Sequence, residues 1–462
     1  MNAKPNPADF ALALYAGACE SHQRKDWRQA CHALADALRS ELMRTTAIAA
    51  PPAPVVAPAP VKRTSTPKAA AYAMTAESLT TVLRFLKRAS PSGRGRHTIP
   101  ILMHVLIEAG RDVVTLRTTD MDRELFVRID APGCGEWSAT ADLAKLSGLL
   151  TKAKGPVTFA GELDAPHSRK SANGTMEDVR NSRLIVSGAV NAKLSGLVPS
   201  DFPRLLKPET VLQSVKVAAA DLADALAFVQ PAISSEATRY YLNGAYVHGC
   251  VDTGRSTLRV VATDGNRLHA TAIERGEGEG LAESGVIIPM ATVGDMLAAI
   301  GANAGPFDFS ASESYVQLVK GPVVVTSRVI DGNFPDYTRV IPATDSGKSA
   351  VFNAADLCSA LAKVTAISDS REPAATINLE GSAAAVSCRS ADSATSSETI
   401  ECDWSGDACE ITFRGAFLAM AAKSLGSERV KATLGGPNDP VRLEALDEGD
   451  FMRLAVFMTM RR

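Results

Sequence analysis

Six short stretches of this chain each carry apolar residues spaced to give one stripe on a helix. They recur at near-regular intervals: AESLTTVLRFLKRA, TADLAKLSGLLTKA, AADLADALAFVQ, ATVGDMLAAIGA, NAADLCSALAKVTA and RGAFLAMAAKSLG. Between them run segments that alternate apolar and polar residues, the period of a strand with one buried face. A helix of three turns is not stable alone in water and must lay its stripe on something. A regular series of such helices among strands therefore predicts one unit copied along the chain. Thr75 and Asn353 stand where helix N-caps belong.

A longer repeat contains this one. VVTLRTTDMDRELFVRI, with Asp120, is matched by LRVVATDGNRLHATAI, with Asp264, and more weakly by AAAVSCRSADSATSSETI, with Asp392. SDFPRLLKP echoes GNFPDYTRVIP. Three copies, over 72–209, 210–343 and 344–462, account for both series and give each copy two helices. Leu258, Val260 and Ala262 alternate with Arg259, Val261 and Thr263, and the alternation resumes after Asp264-Gly265-Asn266 with Leu268, Ala270 and Ala272 against Arg267, His269 and Thr271. This is the pattern of a β-hairpin, in which Gly and Asn supply the positive φ of a tight turn. Ahead of the copies, residues 1–47 read as a helical extension, and the Pro/Ala-rich stretch 48–71 reads as an extended linker.

Catalytic patterns are missing. The eight cysteines form no CxxC pair, the seven histidines no HExxH, and no glycine-rich dinucleotide fingerprint occurs. SGKSA (346–350) resembles the end of a phosphate loop but has Pro342 where the first glycine belongs. Asp120 and Asp122 form a DxD that supports one enzymatic alternative, a metal-dependent transferase. The expectation is no catalytic residue, no metal and no cofactor. A formal net charge of −2 means that any nucleic-acid surface must come from how charge is distributed. The N-terminal residues lack the basic start and apolar run of a signal peptide, and no later apolar run approaches about 18 residues, so a cytoplasmic protein with no membrane contact is expected.

RYYLNG (239–244), LRVVATDGNRL and DGNFPDYTRVIP together closely resemble the second domain of the bacterial replicative sliding clamp, the beta subunit of DNA polymerase III. HTIPILMHVLIEA, TTDMDREL and SDFPRL in the first copy, and PVRLEALDEGDFMRLAVFMTMRR at the end, extend the resemblance over about residues 72–462. It implies an α+β fold of three tandem clamp domains, with two helices inside and antiparallel sheets outside in each. Two protomers would close head to tail into a ring around duplex DNA, bound without regard to sequence. The function so implied is a processivity factor rather than an enzyme. Its partners would be the polymerase III catalytic subunit, the clamp loader and other proteins bearing a clamp-binding motif. A clamp-like paralogue serving a specialised polymerase or repair enzyme is the nearest alternative, motivated by residues 1–71, which lie outside the resemblance.

The same resemblance carries site residues over. A peptide pocket between the second and third copies would use Leu242, Thr263, Gly265, Asn266, Arg267, Leu268, Pro335, Val340, Val456 and Met458. Asn266, where many clamps have histidine, and Thr459 and Arg462, where the family often has proline and an apolar terminus, imply an altered peptide preference. DNA contacts fall on Arg96, Arg239, Tyr240 and Tyr241, the tyrosines being read as part of an alternating strand, and the dimer interface on Leu194 and Ile367. Arg84, Lys87, Arg88, Lys145, Lys152, Lys154, Lys363 and Lys423 are candidates for a positive helical face, to which the central copy's helices add no Lys or Arg.

Overall fold

The structure, a computed structural model, describes residues 74–460 apart from 92–98, 111, 171–175, 206–212, 216, 253–254, 275–284, 302–306, 344–347, 371, 436–438 and 447–451. The extension and linker expected over 1–71 lie outside the described residues. Six helices occupy the six predicted stretches: α1 (Ala76–Leu86), α2 (Leu143–Thr151), α3 (Ala219–Val229), α4 (Met290–Ile300), α5 (Ala354–Thr365) and α6 (Gly415–Ser424). They pack as the pairs α1–α2, α3–α4 and α5–α6. Helix α1 shows why they form. Thr75 accepts a hydrogen bond from the Ser78 N–H at 3.2 Å, closing the N-terminus, while Ala76, Leu79, Leu83 and Leu86 fall on one face and are buried. Each of those leucines contributes about 2 kcal/mol of burial. Asn353 caps α5 in the same way, accepting from the N–H groups of Ala355 and Asp356.

Apart from a small hairpin, His167–Lys170 with Met176–Val179, the described strands come in blocks of four. One block stands alone, two join into an eight-stranded sheet, and three join into a twelve-stranded sheet. The two joins between copies follow one rule. In the first copy the strand after the Asp120 turn, Arg123–Asp130, pairs antiparallel with Val323–Arg328, the last strand of the second copy, from Val127↔Val323 to Arg123↔Ser327. In the second copy the strand after the Asp264 turn, Arg267–Glu274, pairs with Arg453–Phe457, the last described strand of the third, from Arg267↔Phe457 to Thr271↔Arg453. In the third copy the corresponding strand, Thr395–Trp404, finds a partner on that side only at its far end, in Ala350–Phe352. The last strand of the first copy, Ala192–Ser195, is the edge of its four-stranded sheet.

The predicted hairpin at Asp264 forms, with Thr263 paired to Leu268 so that Arg267 also belongs to the turn. Its sheet, however, is buried on both faces there. Leu258, Val260 and Ala262 belong to the main core, whereas Val261, Leu268 and Ala270 form a second cluster with Tyr337, Leu454 and Val456, against which Phe334 and Ile341 pack. Strict alternation breaks down because the segment carrying Phe334 and Tyr337 covers what would otherwise be a solvated face. Among the described residues no helix is long and apolar enough to cross a membrane.

Candidate functional site

The turn at 263–267 is held by its own side chains. Thr263 Oγ1 accepts from the Gly265 N–H at 3.1 Å and donates to the Arg267 carbonyl at 2.7 Å. Asp264 Oδ1 accepts from the N–H groups of Asn266 and Arg267 at 2.9 and 3.1 Å, and its Oδ2 accepts from Arg267 Nε at 3.1 Å. Gly265 has φ +88°, which favours glycine, and a Cβ there would lie 2.4 Å from Arg239 Nη1, so a side chain would have to push the Arg239 guanidinium aside.

The expected pocket residues divide by exposure. Leu268 and Val456 are cross-strand partners and buried, and Leu242 is buried as well. Pro335, Val340 and Met458 are exposed, as are Gly265 and Asn266. An aromatic stack sets the position of the segment bearing Pro335 and Val340. Phe334 lies on Tyr246 with centroids 4.8 Å apart, Tyr246 lies on His248, and His248 Nε2 is 2.9 Å from the Tyr337 hydroxyl. Burial pushes the His248 imidazole below its ordinary pKa, which favours the neutral ring in that bond. The Met458 N–H donates to the Asn266 carbonyl at 2.9 Å, tying the third copy's chain to the second copy's turn.

Three further residues join this surface that the sequence did not single out. The Arg267 guanidinium sits 3.8 Å above the Phe417 ring of α6, and its Nη1 is 3.9 Å from the Met420 sulfur. Met460 is bonded through its N–H to the Thr412 carbonyl. With Val340 and Met458, the exposed Met420 and Met460 give the region an apolar, adaptable rim. No periodicity flags these residues, because their proximity arises from sheet pairing between copies. A separate cleft of about 310 Å³, lined in part by Tyr246, Glu313 and Asn333, shares none of the expected pocket residues.

The Asp120 turn repeats the same internal bonds. Thr119 Oγ1 donates to the Arg123 carbonyl at 2.7 Å, and Asp120 Oδ1 accepts from the Asp122 and Arg123 N–H groups. Asp120 Oδ2 accepts from Arg123 Nε and Nη2 at 3.0 and 2.7 Å, so this carboxylate is occupied by the turn and by Arg123 and is not free to share a metal with Asp122. The transferase alternative has no footing. Here the arginine meets a different partner: Arg123 Nη1 and Arg88 Nε donate to the two oxygens of Asp295 on α4, at 2.7 and 2.6 Å. Burial pushes the Asp295 carboxyl up, and the two guanidinium groups oppose that shift.

Among the DNA candidates, Arg96 lies outside the described residues. Arg239 is bidentate to Glu236, both bonds 2.8 Å, and donates to the Asp264 carbonyl at 3.1 Å. Tyr240 and Tyr241 are in a short 3-10 helix, Ala237–Leu242, and not in a strand; Tyr240 is exposed and Tyr241 half-buried. The Ser234 N–H donates to the Leu242 carbonyl and Asn243 Nδ2 to that of Glu236, so the loop closes on itself in place of pairing into a sheet. Leu194 is half-buried on the edge strand Ala192–Ser195, and Ile367 is half-buried just beyond α5.

The central-domain model of the DNA polymerase III beta subunit matches residues 216–336, and the C-terminal-domain model of that subunit matches 338–461. The beta sliding clamp of Caulobacter vibrioides NA1000 is 29% identical over 354 residues, covering 75% of this chain and 88% of its own. The crystal structure of a DnaN sliding clamp from Bartonella birtlesii bound to griselimycin superposes with a TM-score of 0.73 at 27% identity, over 84% of this chain and 99% of that one. The Caulobacter crescentus sliding clamp gives 0.71 at 26% identity, with the same coverage.

Proposed function

Because the chain belongs to the DNA polymerase III beta sliding clamp family, whose members are non-catalytic processivity subunits, we propose that two copies close head to tail into a ring around duplex DNA and tether the replicative polymerase. In this reading the copies span 72–209, 210–343 and 344–462. The groove around Thr263–Leu268, Leu242, Pro335, Val340, Val456 and Met458 takes a short, partly apolar peptide from the polymerase, the clamp loader and other partners.

One observation supports the ring above all others. In the first two copies, the strand after the turn pairs with the last strand of the next copy. In the third copy, residues 395–401 of the equivalent strand pair only with Ala383–Arg389 among the described residues, and Ala192–Ser195, the first copy's last strand, is an edge. Open edges invite pairing. A second protomer extends the same rule across both gaps and brings Leu194 to the seam, with Ile367 nearby. Six domains then complete a closed, two-fold assembly.

The test is primer extension on circular primed DNA by the host replicative polymerase with clamp loader and ATP, comparing product length with and without this protein. Long products only in its presence support the replicative role. A dimer by mass that leaves product length unchanged rejects that role and favours the paralogue reading, which the departures at Asn266, Thr459 and Arg462 also favour.

A further inference from the structure

We propose that duplex DNA inside this ring is carried on the helices of the first copy and held off those of the central copy, an assignment that rests on the ring reading above. Aligned from their N-cap positions Thr75 and Ala218, α1 and α3 correspond residue for residue: Arg84 matches Ala227, Lys87 matches Gln230, and Thr81 matches Asp224. In the first copy Arg84, Lys87, Lys145, Lys152 and Lys154 are exposed, and none has an ion-pair partner among the described residues. The exposed positions of α3 are Ala220, Asp221, Asp224 and Ala227, and those of α4 are Met290, Ala291 and Ala298. Neither helix of the central copy bears a cation, and one bears two exposed carboxylates.

The other cations considered for the inner face are largely paired already. Arg239, the central copy's expected DNA contact, is held by Glu236 and the Asp264 carbonyl. Arg88 is taken up by Asp295, and Lys363 by Glu398 at 2.6 Å. In the third copy Lys423 remains exposed. Phosphate affinity without base reading comes from cations that release counterions, so the duplex settles where those cations are. Asp221 and Asp224 repel phosphate over about a Debye length, some 8 Å at physiological salt, which displaces the DNA axis from the central helices.

The experiment places a photo-crosslinking amino acid at Thr81 on α1 or at Ala227 on α3, both exposed, in full-length protein loaded onto nicked circular duplex by clamp loader and ATP. Crosslinking to DNA from Thr81 should exceed that from Ala227 by about tenfold, the contrast expected between a cationic and an anionic face. A second arm compares the triple variant Arg84→Gln/Lys87→Gln/Lys145→Gln with wild type, both confirmed as dimers by mass. Its DNA affinity should fall less steeply with salt, the slope of log K against log salt dropping by about 0.9 for each phosphate that is no longer neutralised. Equal crosslinking from the two helices, or an unchanged salt slope, overturns the assignment. Failure of the wild-type protein to remain on circular DNA overturns the ring itself, and this inference with it.

Discussion

Acid should loosen the junction between the second and third copies through one buried imidazole. His269 lies on the strand that crosses into the third copy and is fully buried, stacked on Phe228 at 4.9 Å and edge-on to Phe457 at 6.3 Å. Its Nδ1 is 2.8 Å from the Phe228 carbonyl, which makes Nδ1 the protonated nitrogen, and its Nε2 has no hydrogen-bond partner. Burial, aided by the nearby Arg267 and Arg453, holds the ring's pKa down to about 4. Since the folded value is below the unfolded one, near 6.5, the unfolded chain takes up a proton that the folded chain refuses. Stability is therefore full above about pH 6.5 and is lost as pH falls toward about 4, at up to about 1.4 kcal/mol per pH unit. Between about pH 7 and about pH 4.5 the loss integrates to roughly 2 kcal/mol, a shift of a few tens of fold toward the opened junction. The first copy supplies the control, because Leu125 occupies the equivalent place two residues after its turn arginine. Denaturant unfolding of wild type and His269→Leu at both pH values should show a wild-type loss larger by that amount, and NMR titration should find the His269 ring neutral down to about pH 5. Equal losses in the two proteins, or a ring that titrates near its ordinary value, would refute this account.

Other outcomes follow from the same geometry. Asp295→Asn leaves Arg123 and Arg88 facing a neutral group and should cost about 3 kcal/mol, with faster hydrogen exchange confined to Val323–Arg328 and its partner strand; a change spread evenly over both junctions argues against a local clasp. Gly265→Ala should cost about 1–2 kcal/mol from its positive φ alone and should also displace Arg239 from Asp264; a denaturation midpoint equal to wild type would show that the turn tolerates a side chain. Val340→Ala with Met458→Ala should weaken binding of a clamp-binding peptide by roughly 30-fold, about 2 kcal/mol, while leaving thermal unfolding in place, as both side chains are exposed; fluorescence anisotropy decides, and undiminished affinity removes them from the groove. Leu268→Ala should instead lower stability by about 3 kcal/mol, because that residue is core to the outer cluster, and a thermally unchanged variant would contradict its burial.

What could be read from the chain was what neighbouring residues decide among themselves. Thr75 and Asn353 cap helices by reaching two or three residues ahead, and the Asp264 turn closes within five residues, so both were legible. Tyr240 and Tyr241 read as strand in the sequence because a short alternating run looks the same whether or not a loop folds back through Ser234 and Asn243. Asp295 was invisible in ATVGDMLAAIGA, where an aspartate on a helix reads as solvated surface. Its partners Arg88 and Arg123 lie 207 and 172 residues away. Phe417, Met420 and Met460 carry no signal in the sequence for the same reason, since the arginine that draws two of them in belongs to another copy.

The Thr-Asp-x-x-Arg turn occurs twice with the same internal bonds and sends its arginine to two different destinations. At the first junction the guanidinium is claimed by a buried carboxylate that a second arginine also holds. At the second it rests on an aromatic face beside methionines that are open to solvent. The first turn is thus tied shut by charge, while the second leaves its arginine beside an exposed apolar surface. Counted from the helix N-caps Pro289 and Arg414, Asp295 corresponds to Met420, so the same helix position offers the turn's arginine a carboxylate at one junction and a thioether at the other.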